Sequence, residues 1–157
     1  MYIQLLYMKE LNIKLKTNTD LPLAKQTVIN LFLTYNVVKT EMLSVLKPHD
    51  LSLEQFNVLR ILRGQKGNPL NLQDIQQRMV NKMSNTTRLI DKLIIKGFVK
   101  RTECKQNRRK IEVYITSDGL DKLLELDPLV NSTEEKTTSK LTTIELEELN
   151  RLLNKIQ

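Results

Sequence analysis

Between Gly97 and Thr116 the spacing of apolar residues changes, and that change limits what this chain can fold into. Upstream, apolar side chains recur at steps of three and four residues, the period of a helix with one buried face. Within Phe98–Cys104 and Lys110–Thr116 every second residue shares a face instead: Val99, Arg101 and Glu103 in the first run, Ile111, Val113 and Ile115 in the second. Such alternation marks a strand. Five polar residues, Lys105-Gln106-Asn107-Arg108-Arg109, join the two runs as a hairpin loop. One hairpin set among helices predicts a mainly α fold with a small β element.

The helices carry their own start and stop signals. Pro22 suits a first turn, where its missing N–H is harmless. Leu31, Phe32, Tyr35, Val38, Met42 and Val45 then place a long amphipathic helix over Leu23 to Leu46. Pro48 stops it, because it disfavours helical geometry at the residue before it. Ser52-Leu53-Glu54-Gln55 is a capping box opening a second helix, with Phe56, Leu59 and Leu62 on one face. Gly64, Gly67 and Pro69 end it. Asn71, with Asp74 three residues on, caps a third helix that buries Leu72, Ile75 and Met79. Ser84-Asn85-Thr86-Thr87 opens a fourth, with Leu89, Ile90, Leu93 and Ile94 inward and Gly97 as its stop. Beyond the hairpin, Ser117–Leu126 and Leu141–Ile156 are expected to be two helices separated by Asp127-Pro128 and a Ser/Thr/Glu stretch. Residues 1–17 are apolar without a clean period, and Met8 is an alternative start.

Composition removes several functional classes. One cysteine in 157 residues excludes a disulfide framework and any zinc site built from several thiolates. A single histidine, His49, leaves little for metal or triad chemistry. No apolar run approaches the roughly 20 residues that cross a bilayer. Met1–Met8 has neither a basic n-region nor a small-residue cleavage site. The expectation is a cytoplasmic protein with no cofactor, no metal and no membrane partner. No nucleophile–base pair or phosphate loop points to an enzyme.

Charge is the remaining signal. The chain carries a net +7, and residues 82–110 alone hold 10 basic and 2 acidic side chains, a net of +8. Residues 112–157 hold 5 basic and 10 acidic. A block this concentrated, covering the fourth helix and the hairpin, is what a surface that meets nucleic-acid phosphates requires. Short helices followed by a β-hairpin form the winged helix-turn-helix arrangement.

Three ordered motifs carry a resemblance. Leu51-Ser52-Leu53-Glu54-Gln55-Phe56-Asn57-Val58-Leu59 resembles the "L-T-x-x-Q-F-x-V-L" helix start of the MarR (multiple antibiotic resistance regulator) family. Thr87-Arg88-Leu89-Ile90-Asp91-Lys92-Leu93 with Lys96-Gly97-Phe98-Val99-Lys100-Arg101 resembles its recognition helix and first wing strand. Arg108-Arg109 followed by Ile115-Thr116-Ser117-Asp118-Gly119 is similar to its wing. The resemblance covers about Leu23 to Ile156. It implies a homodimeric regulator that binds double-stranded DNA at an inverted repeat and responds to a small-molecule effector. On that reading 1–20 is an N-terminal extension, 21–47 a dimerisation helix, 48–116 the winged helix-turn-helix domain, and 117–157 the C-terminal dimerisation helices.

The expected DNA-binding residues are Ser84, Asn85, Thr86, Thr87, Arg88 and Lys92 on the fourth helix, and Arg101, Lys105, Asn107, Arg108 and Arg109 in the wing. Asn and Arg are able to make paired hydrogen bonds to adenine and guanine edges. Ser84 reads equally as a helix N-cap. A planar cation at a hairpin tip suits a narrow minor groove, which favours Arg109, with Arg108 as the alternative. Asn107 stands where the family has an acidic residue. It is the one sequence feature favouring a second reading, a winged-helix protein-interaction adaptor without specific operator binding. Tyr35, Met42 and His49 are candidate effector-pocket residues by resemblance; a core or dimer contact for the first two, and a locally bonded loop side chain for His49, are the plainer readings. Cys104 has no second cysteine to resolve a sulfenate and reads as a strand-end residue.

Overall fold

The computed structural model describes residues 16, 21–104 and 107–157. Its elements run α1 (Leu23–Leu46), a 3-10 turn (Lys47–His49), α2 (Leu53–Arg63), α3 (Leu72–Arg78), α4 (Thr86–Ile95), β1 (Val99–Cys104), β2 (Asn107–Ile115), α5 (Ser117–Thr138) and α6 (Thr143–Asn154). The chain divides into two compact units, Met1–Thr40 and Glu41–Gln157. Of the first, the described part is essentially the N-terminal portion of α1, whose Leu23, Val28, Phe32, Tyr35, Val37 and Val38 are exposed. The extension expected over 1–20 lies outside the described residues apart from Lys16.

The second unit holds the core. Leu46, Val58, Leu59, Leu62, Ile75, Ile90, Leu93, Val113, Leu123, Leu126 and Val130 are almost fully buried together. Each fully buried side chain of this kind contributes on the order of 1.5–3 kcal/mol. The caps expected at Ser52 and Asn71 form. Ser52 accepts the Gln55 amide at 3.2 Å while Gln55 Oε1 accepts the Ser52 amide at 3.0 Å, which closes the capping box. Asn71 accepts the Asp74 amide at 2.9 Å. Thr116 caps α5 by accepting the Gly119 amide at 3.1 Å. The winged architecture expected from the period change is the one observed.

The hairpin pairs Val99 with Ile115, Arg101 with Val113 and Glu103 with Ile111, so the two alternating faces expected from sequence oppose one another. Two details differ. First, β2 begins at Asn107 rather than Lys110, and Cys104 pairs with Asn107 after an irregularity next to Glu103. Three of the five residues assigned to the loop therefore lie in the strand. Second, Leu70, between α2 and α3, adds a bridge to Val113: the Val113 amide donates to Leu70 O at 2.8 Å and the Leu70 amide to Val113 O at 3.2 Å.

A third difference concerns Pro128. Instead of a break at Asp127-Pro128, α5 runs unbroken from Ser117 to Thr138 with the proline inside it. An interior proline costs about 3 kcal/mol through its missing N–H and its ring. Here the residues on either side of it share one buried face, Leu123, Leu126 and Val130. Asp127 is also gripped by Arg63 through two hydrogen bonds of 2.6 and 3.2 Å. Burial on both sides outweighs the local penalty. The actual break comes at Ser139–Leu141, after which Thr142 and Glu145 form the capping box of α6. Among the described residues, no helix is long and apolar enough to cross a membrane.

Candidate nucleic-acid interface

Helix α4 is amphipathic because Thr86, Ile90 and Leu93 fall at helical spacing and turn into the core. Its opposite face, with Thr87, Arg88, Asp91 and Lys92, is exposed. The helix begins one residue later than a Ser84 cap would give. Asn85 is the N-cap, and its Oδ1 accepts the Arg88 amide at 3.0 Å. That uses one lone pair of the Asn85 carbonyl and leaves its amide donors facing outward. The Ser84 hydroxyl is thereby freed from capping, while its amide donates to Asn81 O at 3.2 Å.

Thr86 departs from the expectation that it faces a ligand. It is only 6% exposed, and its Oγ1 is buried with no hydrogen-bond partner among the described residues. Its position on the Ile90–Leu93 stripe carries it inward with them.

Ser84, Asn85, Arg88, Leu89 and Lys92 line an open cleft of about 370 Å³ together with Ser52 and Glu54 at the start of α2. Composition and motif reading had singled out the α4 residues but not Ser52 or Glu54 as lining groups. Only the fold brings the α2 N-terminus alongside. The cationic residues divide by how they are engaged. Arg101 Nη2 bonds Asp91 Oδ1 at 2.8 Å, tying β1 to α4. Lys96 pairs with Asp50, and this hydrogen bond, followed by the attraction of the Lys96 charge, holds the Asp50 carboxyl below the usual aspartate range. Arg88 and Lys92 form no side-chain hydrogen bond or salt bridge among the described residues and both line the cleft; the Lys92 charge also helps lower the Asp50 carboxyl. Arg101 is thus a brace between wing and helix as much as a candidate contact.

In the wing, the Lys100 ammonium lies 5.6 Å from the Tyr114 ring centre. Lys105 lies outside the described residues. Asn107, Arg108 and Arg109 are placed only as backbone of β2, so the choice between the two arginines falls outside the described side chains. The three candidate effector residues go separate ways. Tyr35 is exposed, with the Lys39 ammonium 5.7 Å from its ring centre. Met42 packs on the core. His49 Nδ1 stands 3.2 Å from Glu125 Oε1, and Lys122 holds the other oxygen at 2.5 Å. The Lys122 hydrogen bond is the main reason the Glu125 carboxyl is lowered. His49 thus meets α5 rather than the loop it sits in.

A model of the MarR family matches residues 51–111, from the start of α2 into β2. A MarR transcription factor from Planctomyces limnophilus, known by crystal structure, is 33% identical, with 85% of this chain and 96% of that chain covered and a TM-score of 0.68. The chain belongs to the MarR family. Among curated relatives of this MarR-family chain, the uncharacterized HTH-type transcriptional regulator YfiV of Bacillus subtilis is 38% identical over 70 residues, 45% of this chain. That match spans 42% of the relative, so the likeness covers less than half of YfiV's length. A mutant MarR from E. coli, solved in complex with operator DNA, shares the fold at 24% identity and a TM-score of 0.72, with 80% of this chain and 89% of that one covered.

Proposed function

We propose that this MarR-family protein is a sequence-specific DNA-binding transcription regulator that acts as a homodimer on an inverted-repeat operator and answers to a small-molecule effector. The observation that carries the reading is the cleft at the start of α4. Two cations without a salt bridge among the described residues, Arg88 and Lys92, stand there beside Ser84 and the Asn85 amide, on a helix whose other face is locked into the core. Phosphate contacts of this kind supply affinity, and the polar and guanidinium groups supply base discrimination. The Asp91–Arg101 pair fixes the wing relative to the helix, so both would meet one duplex together. Arg109, with Arg108 beside it, is the minor-groove reader by family resemblance. The MarR–operator complex from E. coli supports the class of partner.

Support for the dimer is the apolar surface outside the winged lobe. On α6 and just after it, Ile144, Leu149, Leu152 and Ile156 are exposed, as are Leu23, Phe32 and Tyr35 of α1. Faces of this kind in segments flanking the lobe fit burial against a second copy. On this reading 21–47 and 117–157 build the dimer and 48–116 reads the half-site. The effector rests on family resemblance.

The test is selection of duplexes from a random-centre DNA pool, followed by binding isotherms across salt and light scattering of the free protein. Enrichment of a two-fold symmetric sequence by a dimer is expected. Binding that is indifferent to sequence and vanishes at moderate salt would overturn the operator reading. A monomer at micromolar concentration would overturn the symmetric one.

A further inference from the structure

The turn between α3 and α4 holds two large apolar side chains out in water: Val80 is 90% and Met83 is 93% exposed. This is not the result of a loosely held segment. The Val80 amide donates to Asn57 Oδ1 of α2 at 3.0 Å, and the Met83 amide donates to Asn81 Oδ1 at 3.1 Å. Gln76 Nε2 donates to Lys82 O at 3.2 Å, and Met79 next to Val80 is buried. Backbone and polar side chains thus fasten the turn with Met83 outward. Met83 is joined to Ser84, a lining residue of the α4 cleft, and follows exposed Lys82.

Two apolar side chains, of which only Met83 adjoins the cationic rim, are too few to anchor a protein interface, which needs hundreds of Å² of matched surface; Met83 is the one placed beside the cleft. It does match one methyl group. In the major groove the only apolar group on any base edge is the 5-methyl of thymine. We propose that Met83 is a specificity-determining residue whose thioether chain packs on a thymine methyl at the edge of each half-site. Methionine suits this task, being unbranched and polarizable, and able to adjust its three rotatable bonds to the groove wall. The proposal rests on the DNA-binding reading above and adds a base preference to it.

Replacing thymine by deoxyuracil removes the methyl and leaves every hydrogen-bonding edge in place. The test takes the duplex enriched by the wild-type protein and substitutes each thymine singly. Affinities of the wild type, Met83→Ala and Met83→Leu are then measured by fluorescence anisotropy. At one thymine per half-site the swap weakens the wild type about fourfold, the worth of one buried methyl-sized group. Met83→Ala, which loses the contact in both half-sites of the dimer, binds the unsubstituted duplex about sixteenfold weaker and is indifferent to the swap at that position, whereas Met83→Leu stays sensitive. The coupling between the two changes isolates the contact. Because Met83 is exposed, unchanged thermal midpoints are expected for both variants. A wild type indifferent at every thymine, or an alanine variant that keeps the full penalty, overturns the proposal while leaving the operator reading intact. Enrichment of no sequence at all overturns the operator reading and this proposal with it.

Discussion

Thr86→Val is expected to stabilise the protein and leave DNA binding unchanged, although the residue lies in the first turn of the helix proposed to read bases. The Thr86 hydroxyl is buried, on a side chain 6% exposed, and no described residue accepts or donates to it. Leaving a buried hydroxyl unpaired costs about 1–3 kcal/mol. Valine keeps the branched shape and its helix preference is close to that of threonine, so neither rotamer freedom nor propensity offsets the gain. The added methyl contributes up to about 0.8 kcal/mol if it fits the same space. The net expectation is a gain of about 1–3 kcal/mol, or roughly 2–4 °C in thermal midpoint for each kcal/mol in a chain of this size. Urea titration followed by circular dichroism measures the first quantity, and anisotropy on a selected duplex measures the second. A less stable valine variant would show that the hydroxyl has a partner and that the inward placement is wrong. A stable variant with weakened binding would instead put Thr86 on the DNA.

Three further outcomes follow from the geometry. A Cβ added at Gly119 would lie 2.2 Å from the Phe98 carbonyl oxygen and 2.8 Å from Ile115 Cγ1, so Gly119→Ala should lower stability by about 2 kcal/mol despite alanine's better helix propensity; a urea midpoint at or above that of the wild type refutes the close approach. Arg88→Ala should shallow the slope of log affinity against log salt by about one unit per protomer, about two for the dimer, if its guanidinium meets a phosphate, or relax discrimination at one base pair of each half-site if it meets a guanine; an unchanged slope and unchanged base preference remove it from the interface. The Asp50 carboxyl is lowered in the folded state by the Lys96 hydrogen bond and charge, so its contribution to stability is full above the ordinary aspartate value of 3.8 and fades as pH falls through the lower folded value. Asp50→Asn should therefore flatten that part of the acid limb of a stability–pH profile, and an unaltered limb would show that the pair contributes nothing there.

What was legible in the residues was mostly local. Ser52 with Gln55, and Asn71 with Asp74, mark helix starts because cap donor and acceptor lie three residues apart. The hairpin faces were legible because alternation survives in Val99–Glu103 and Ile111–Ile115. Pro128 was misleading because the local rule is sound but subordinate: Leu123, Leu126 and Val130 bury together only if the helix continues through it. At the start of α4 the signal lies in the residues themselves. Thr86 shares the i, i+4, i+7 stripe of Ile90 and Leu93, which places it inside rather than beside Thr87 and Arg88. Other parts of the site carried no sequence signal. Asn57 fastening Val80 links residues 23 apart, and Glu54 reaches the cleft only because α2 packs against α4.

The bridge from Leu70 to Val113 divides the wing mechanically. Both backbone groups of Val113 are spent on Leu70, and its side chain is fully buried, so β2 at that point is an interior strand rather than an edge. Exposing the Val113 amide to solvent requires separating the α2–α3 connection from the hairpin, an opening of the whole lobe; its hydrogen exchange should be among the slowest in the chain. On its other side Val113 pairs with Arg101 of β1. The root of the wing is therefore clamped on both sides, and Arg101, opposite Val113, carries that clamp to Asp91 of α4.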